Sequence, residues 1–320
     1  MSAGTARVAA VAGEDIALNA HDGHALAGMR FRPAGVASGA ARASVVFGPA
    51  MAVSQHFYTA FAAHLAGQGF DVWTFDYRGT GASLKGSMRG VKADLSDWLK
   101  LDYDAVVQAA TAANPGRPLY LVGHSLGGQF APLLPSRDRI AGLINIAVGS
   151  GSLRHNVPSL RRKAPLMWYM MAPLLCPLFG YFPGSKIGVI GDLPTGAMFQ
   201  WRKWCLTPDY ILSGEPGARE AYASADYPVL SLFFHDDELL LQDGSRLLHD
   251  AYTRRRNGAS GDQGGAQHSG QHIDQRAIAP ADYGHKRIGH FGFFKPQCEA
   301  TLWPLVTQWL DTQLDMRKAA

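Results

Sequence analysis

The sequence predicts an α/β fold, a mostly parallel, doubly wound sheet interrupted by an insertion. Three observations lead there. Short, continuously apolar runs such as Ser44–Phe47, Leu119–Val122 and Ile140–Val148 read as strands buried on both faces. They alternate with segments of helical spacing, the order that gives parallel strands with helices on either side. That regularity stops over residues 151–225, rich in Pro, Gly, Trp and Tyr, and resumes at Pro228.

Taken in order, residues 14–32 open as an antiparallel pair turning at His21-Asp22-Gly23. Ser44–Phe47 is a strand ending at Gly48. Phe57, Phe61 and Leu65 recur every four residues in a helix that Gly69 stops. Phe70 to Tyr77 is the next strand. Asp94 to Ala113 is an amphipathic helix ended by Asn114-Pro115-Gly116. The run from Leu119 then gives a strand and a helix, and Ile140 to Val148 a further strand. After the irregular stretch come a strand over Pro228 to Phe234, a helix over Ser245 to Arg254 and a last helix over Glu299 to Leu314. Residues 256–272 are of low complexity and are expected to be mobile. The expected organisation is a core of residues 1–150 and 226–320, with 151–225 as an insertion.

Composition narrows the function classes. A chain of 320 residues makes one large domain or a core with an insertion. Its 47% hydrophobic and 18% charged content is ordinary for a globular protein. A net charge of +4, with no long basic run, argues against nucleic acid as a partner. Cys176, Cys205 and Cys298 are far apart and odd in number, so neither a disulfide framework nor a zinc site is expected. No secretory signal is read at the N-terminus, and a cytoplasmic location follows by default. Ala164 to Phe182 is almost wholly apolar, but Pro165, Pro173 and Pro177 would break a lone helix in lipid. It is expected to be a buried or surface-docking lid.

The run Leu119 to Gly128 carries the chemistry. It reads as a buried strand, a tight turn bearing Ser125, and a helix start, with Gly123 and Gly127 two residues to either side. Any Cβ at those glycines would collide where helix and strand nearly touch. A serine hydroxyl becomes a useful nucleophile only when an imidazole takes its proton, and the imidazole needs a carboxylate to hold its tautomer. Two further clusters lie downstream. The strand from Pro228 runs into Asp236-Asp237-Glu238, and His290 sits between glycines and phenylalanines in Ile288-Gly289-His290-Phe291-Gly292-Phe293-Phe294. Asp76-Tyr77-Arg78-Gly79-Thr80-Gly81-Ala82-Ser83 follows an early strand, with Asp76 and Arg78 read as loop anchors.

With these motifs in order over residues 40–315, the chain resembles the α/β-hydrolase superfamily. Gly180 to Gly184, Trp204-Cys205 and the two downstream clusters make it similar to a bacterial group of predicted hydrolases placed with the serine aminopeptidase-like (S33-type) enzymes. The resemblance implies the α/β-hydrolase fold, residues 151–225 as an inserted cap (lid) over the site, and the chain order nucleophile, acid, histidine. Relatives place the acid nine residues after the proline that opens its strand, which selects Asp237, with Asp236 as the alternative; the remaining acids are expected to cap the following helix. Of the twelve histidines, His285 and His290 fit the last loop, and the glycines and aromatics around His290 favour it. His235, His249, His268 and His272 read as surface or loop residues, and no metal site is expected. The oxyanion hole calls for the amide of Leu126 and one from Gly48-Pro49-Ala50-Met51. Where many relatives donate, this chain has Pro49, which lacks an N–H, so the donor shifts to Ala50 or Met51.

The expected function is cleavage of a carboxylic ester with an apolar acyl or aromatic part by Ser125, His290 and Asp237, without metal or organic cofactor. An amidase or peptidase using the same triad, and a catalytically idle binding protein on the same scaffold, are the alternatives. Cap aromatics such as Trp168, Phe182 and Trp201 are candidate substrate contacts. The cap holds eight Lys/Arg against four acids, which leans towards a neutral or anionic ester, or contact with a membrane surface, rather than a substrate with a free amine.

Overall fold

The structure, a computed structural model, describes residues 11–33, 41–253 and 273–319. The loop 256–272, with His268 and His272, lies outside the described residues. Eight strands form one sheet: β1 (Glu14–Asn19), β2 (Ala25–Phe31), β3 (Ser44–Gly48), β4 (Asp71–Phe75), β5 (Leu119–His124), β6 (Ile140–Ile146), β9 (Val229–Phe234) and β10 (Ile273–Ile278). Two short strands, β7 (Tyr181–Phe182) and β8 (Leu193–Pro194), make a separate ribbon. The sheet order is β1-β2-β4-β3-β5-β6-β9-β10. β1 and β2 pair antiparallel, and every pairing from β4 through β3 to β10 is parallel.

Every residue of β3, β4, β5, β6 and β9 is buried, as strands covered on both faces require. Alternation along each strand sorts the core into two layers. Val45, Phe47, Val72, Tyr120, Val122 and Ile144 point towards Phe61, Trp303 and Leu310 of the helices Thr59–Gly67 and Trp303–Ala319. Val46, Trp73, Leu119, Leu121 and Leu143 point the other way, against residues 95–113 and the segment 151–225. The expected doubly wound arrangement is therefore present.

Three features depart from the sequence expectation. Residues 151–225 are mostly helical rather than irregular, with Pro158–Leu166, Met167–Met171 and Ala172–Phe179 following one another without a break. Pro165 and Pro177 lie inside helices and Pro173 follows a π-type stretch; the wider turn tolerates a ring that would clash with a regular one. β10 was not expected, because Ile273–Ile278 is a half-exposed edge strand of mixed polarity. The last helix starts at Trp303 and runs on to Ala319, later than expected. Cys176, Cys205 and Cys298 are free and buried. Among the described residues no helix is long and apolar enough to cross a membrane.

Candidate active site

The carboxyl ends of the central parallel strands converge on one place, as open α/β sheets favour. Ser125 follows β5 directly, with φ 49° and ψ −116°. A non-glycine residue in the left-handed region costs on the order of 1–3 kcal/mol and persists only when its surroundings hold it. Here they do: the Ser125 amide donates to the Ile146 carbonyl (3.1 Å), and the Ser125 carbonyl accepts from the Gly128 amide (3.1 Å). A Cβ on Gly127 would enter the backbone of Gly48 in the neighbouring strand, so only glycine lets the turn sit this low. Ser125 is thereby turned out of the sheet and into a cavity of about 330 Å3.

The acid and the imidazole meet at the end of β9. His290 Nδ1 donates to Asp237 Oδ2 at 2.8 Å, with both side chains almost wholly buried. The other Asp237 oxygen accepts from the amides of Leu239 (2.8 Å) and Leu240 (3.0 Å), which fixes the carboxylate. The two flanking acids do not cap the next helix as expected; they hold the histidine loop. Asp236 accepts from the amides of Ile288 (2.8 Å) and Gly289 (3.1 Å), and Glu238 accepts from the amide of His290 (3.0 Å). Gly289 has φ 63°, and a Cβ there would strike the Glu238 carboxylate. All three consecutive carboxylates thus serve His290. His285 instead pairs with Thr301 (2.7 Å).

A second buried chain of hydrogen bonds ties the loops together. His124 Nε2 faces the His290 carbonyl at 3.0 Å, and a carbonyl only accepts, so Nε2 carries the proton. Nδ1 must then accept, which makes Tyr58 Oη its donor (3.0 Å). Tyr58 Oη in turn accepts from the Ala50 amide at 2.9 Å. Burial, aided by the nearby His290, pushes the His124 pKa well below its ordinary value and keeps the ring neutral, as this pattern needs. The bonds run from the loop after β3, through the residue before Ser125, to the backbone of His290. No sequence pattern singles out Tyr58 or His124, and the one available hint is the position of His124 beside Ser125.

This chain also corrects the oxyanion expectation. The Ala50 N–H is already taken, which leaves Met51 as the candidate from that loop. Among the described residues no backbone acceptor takes the Met51 amide. The Leu126 amide opens the helix Leu126–Phe130, where first-turn N–H groups have no partner within the helix. Ala50, Met51, Ser125, Leu126 and His290 all line the one cavity.

Of the candidate aromatics in residues 151–225, Trp168 and Trp201 line the cavity, packed edge to face with ring centres 4.9 Å apart. Phe182 does not: it is fully buried in the β7–β8 ribbon opposite Leu193. The rest of the wall is largely apolar, including Leu160, Ala164, Met167, Ile190 and Leu240, and no Asp, Glu, Lys or Arg contributes to it among the described residues. A larger groove of about 620 Å3, bordered by Lys100, Arg137, Glu215 and Glu220, carries none of this constellation. Asp76 and Arg78 act as loop anchors: Asp76 accepts from the amides of Gln55 and Ala82, and Arg78 pairs with Asp22 and Asp102. Among the described residues no group of His, Cys, Asp and Glu is placed to hold a metal ion.

Residues 39–173 match the family profile of the serine aminopeptidases, S33. A monoglyceride lipase of Saccharomyces cerevisiae is 29% identical over 112 residues, 35% of either chain, so the match spans about a third of that relative's length. The crystal structure of a soluble variant of that yeast lipase superposes with a TM-score of 0.62 at 19% identity, covering 97% of this chain and 98% of the other. An esterase from Pyrococcus furiosus gives 0.57 at 12% identity, covering 94% and 90%. The sheet order, the serine turn and these likenesses show the α/β-hydrolase fold, and residues 39–173, under half of the chain, resemble the serine aminopeptidase S33 family.

Proposed function

We propose that the protein is a serine hydrolase that cleaves carboxylic esters with an apolar acyl part, residues 151–225 forming the cap over its site. Ser125 Oγ attacks the ester carbonyl carbon while His290 Nε2 takes the hydroxyl proton, and Asp237 stabilises the resulting imidazolium. The carbonyl π electrons move to oxygen, and the amides of Leu126 and Met51 receive that charge. When the tetrahedral adduct collapses, the alkoxide leaves with the proton from His290. Water, deprotonated by the same imidazole, then attacks the acyl-serine, and the acid departs as Ser125 regains its proton.

What carries this proposal is the buried 2.8 Å contact between His290 and Asp237 beside a cavity that Ser125 also lines. The absence of any carboxylate among the described lining residues favours esters over aminopeptidase substrates, whose free amine wants an anionic partner. The cavity volume suits an acyl group on the order of ten non-hydrogen atoms, at the roughly 30 Å3 that one water occupies. Ser125→Ala is expected to abolish both p-nitrophenyl ester turnover and labelling by a fluorophosphonate probe. Labelling that survives the substitution rejects Ser125, and aminoacyl-naphthylamide turnover above ester turnover rejects the substrate class.

A further inference from the structure

The helical run of residues 158–179 is apolar on both sides from Ala164 onward. Its inner side, with Ala164, Met167, Trp168, Ala172 and Cys176, is buried, and Ala164, Met167 and Trp168 line the cavity. Its outer side carries Leu166, Tyr169, Met170, Leu174 and Leu178, which are 50, 62, 50, 63 and 69% exposed. Ile187 and Val189 extend the same exposed character, and among the described residues only Leu241 and Met316 are large, comparably exposed hydrophobics elsewhere. A helix that is hydrophobic all round is normally buried. A contiguous exposed patch of this kind marks an interaction surface.

Charge identifies the partner. Arg161, Arg162 and Lys163 are exposed at the start of the same run and have no carboxylate partner among the described residues. From residue 158 to 191 the sequence has four cations and no Asp or Glu. Lys186 lies over the Phe179 ring at 5.4 Å, its charge beside the apolar surface. Exposed apolar side chains flanked by cations, with no opposing acid, match the chemistry of an anionic phospholipid surface, which takes apolar groups below the headgroups and cations among them. No helix among the described residues is long and apolar enough to cross a membrane, so the contact considered is with the bilayer face. Val189 belongs to both the exposed patch and the cavity wall, so the cavity opens at the edge of the patch.

We propose that the outer side of residues 158–179, with Ile187 and Val189, docks on the face of an anionic phospholipid bilayer. Given the ester-hydrolase assignment on which this part rests, docking presents the Ser125 cavity to esters residing in the lipid.

The test is co-sedimentation of the full chain with vesicles of phosphatidylcholine alone or with phosphatidylserine. It is run on the Ser125→Ala protein, so binding is read without turnover. Binding is expected with phosphatidylserine vesicles and to weaken at high salt. It should fall about fivefold for each charge removed in Arg161→Gln, Arg162→Gln and Lys163→Gln, and at least tenfold in Leu174→Glu/Leu178→Glu. The Leu174→Glu/Leu178→Glu change on a Ser125 background should keep turnover of a short water-soluble ester, since neither leucine lines the cavity; normal turnover there shows an intact fold. Protein that stays unbound with both vesicle types, or a Leu174→Glu/Leu178→Glu variant that still pellets fully, overturns docking. So does a dimer that the double substitution splits while no vesicle is bound, because the face then belongs to a second copy. Vesicle binding together with no ester turnover by the Ser125 protein retains docking and rejects the hydrolase assignment instead.

Discussion

Asp237→Asn separates the two acids that compete for the catalytic role. In the native site one carboxylate oxygen takes the His290 Nδ1–H at 2.8 Å while the other takes two backbone amides. Asparagine keeps an oxygen for the Leu239 and Leu240 amides, so the loop retains its shape. Its NH2 then faces Nδ1, which must turn acceptor, and the ring proton moves to Nε2. An Nε2–H cannot take the proton from Ser125, and no negative charge remains to stabilise an imidazolium. The same change in a serine protease triad costs about 10^4 in kcat, equivalent to about 5.5 kcal/mol of barrier. A loss of 10^3–10^4 in kcat is expected here, with KM and thermal stability little altered. Asp236→Asn instead weakens the hold on the Ile288 and Gly289 amides, worth about 1–3 kcal/mol. It should cost ten- to a hundredfold and lower the melting temperature. The assay is burst and steady-state kinetics on p-nitrophenyl butyrate with a thermal melt of each variant. A larger loss for Asp236→Asn than for Asp237→Asn refutes the assignment of Asp237, and near-native rates in both refute the triad.

Three further outcomes follow from the same geometry. Gly127→Ala pushes a methyl group into the Gly48 backbone and should lower the melting temperature by about 5–10 °C while reducing probe labelling, measured side by side. His124→Phe removes the acceptor of the Tyr58 hydroxyl proton and the donor to the His290 carbonyl, costing about 2–4 kcal/mol in denaturant unfolding; kcat should fall at least tenfold with KM nearly unchanged, and a KM effect alone would argue against a role in positioning His290. Burial lowers the pKa of both His124 and His249 from 6.5 in the folded chain. The unfolded chain therefore takes up protons first as the pH drops, so their contribution is complete above about pH 7 and declines below 6.5, by up to roughly 1.4 kcal/mol per pH unit for each. Urea melts from pH 7.5 to 5 should show this fall, and His124→Phe should flatten the slope by about one proton.

Much of the site was legible in the sequence because its signals are local. Continuous apolar runs mark doubly covered strands, and a serine between glycines at a strand end marks the turn that exposes it. The three acids after Phe234 were equally plain, but which of them faces the imidazole depends on how the loop of residues 288–290 lies across them. The helical insertion was illegible for the opposite reason. Apolar on both sides and punctuated by prolines, residues 158–179 present no period by which a helix is recognised. β10 was hidden by its mixed polarity at the sheet edge.

By itself the sequence determined the parallel core, the serine turn and the set of residues from which a triad can be drawn, since strand burial and backbone strain are written in neighbouring residues. Only the tertiary structure decided that Asp237 meets His290, that Tyr58 occupies the Ala50 amide, that Phe182 is walled away from the cavity, and that residues 166–178 turn an apolar side outward. The meeting of Asp237 and His290 joins residues 53 positions apart, and such geometry is set by packing and not by the local pattern of the chain.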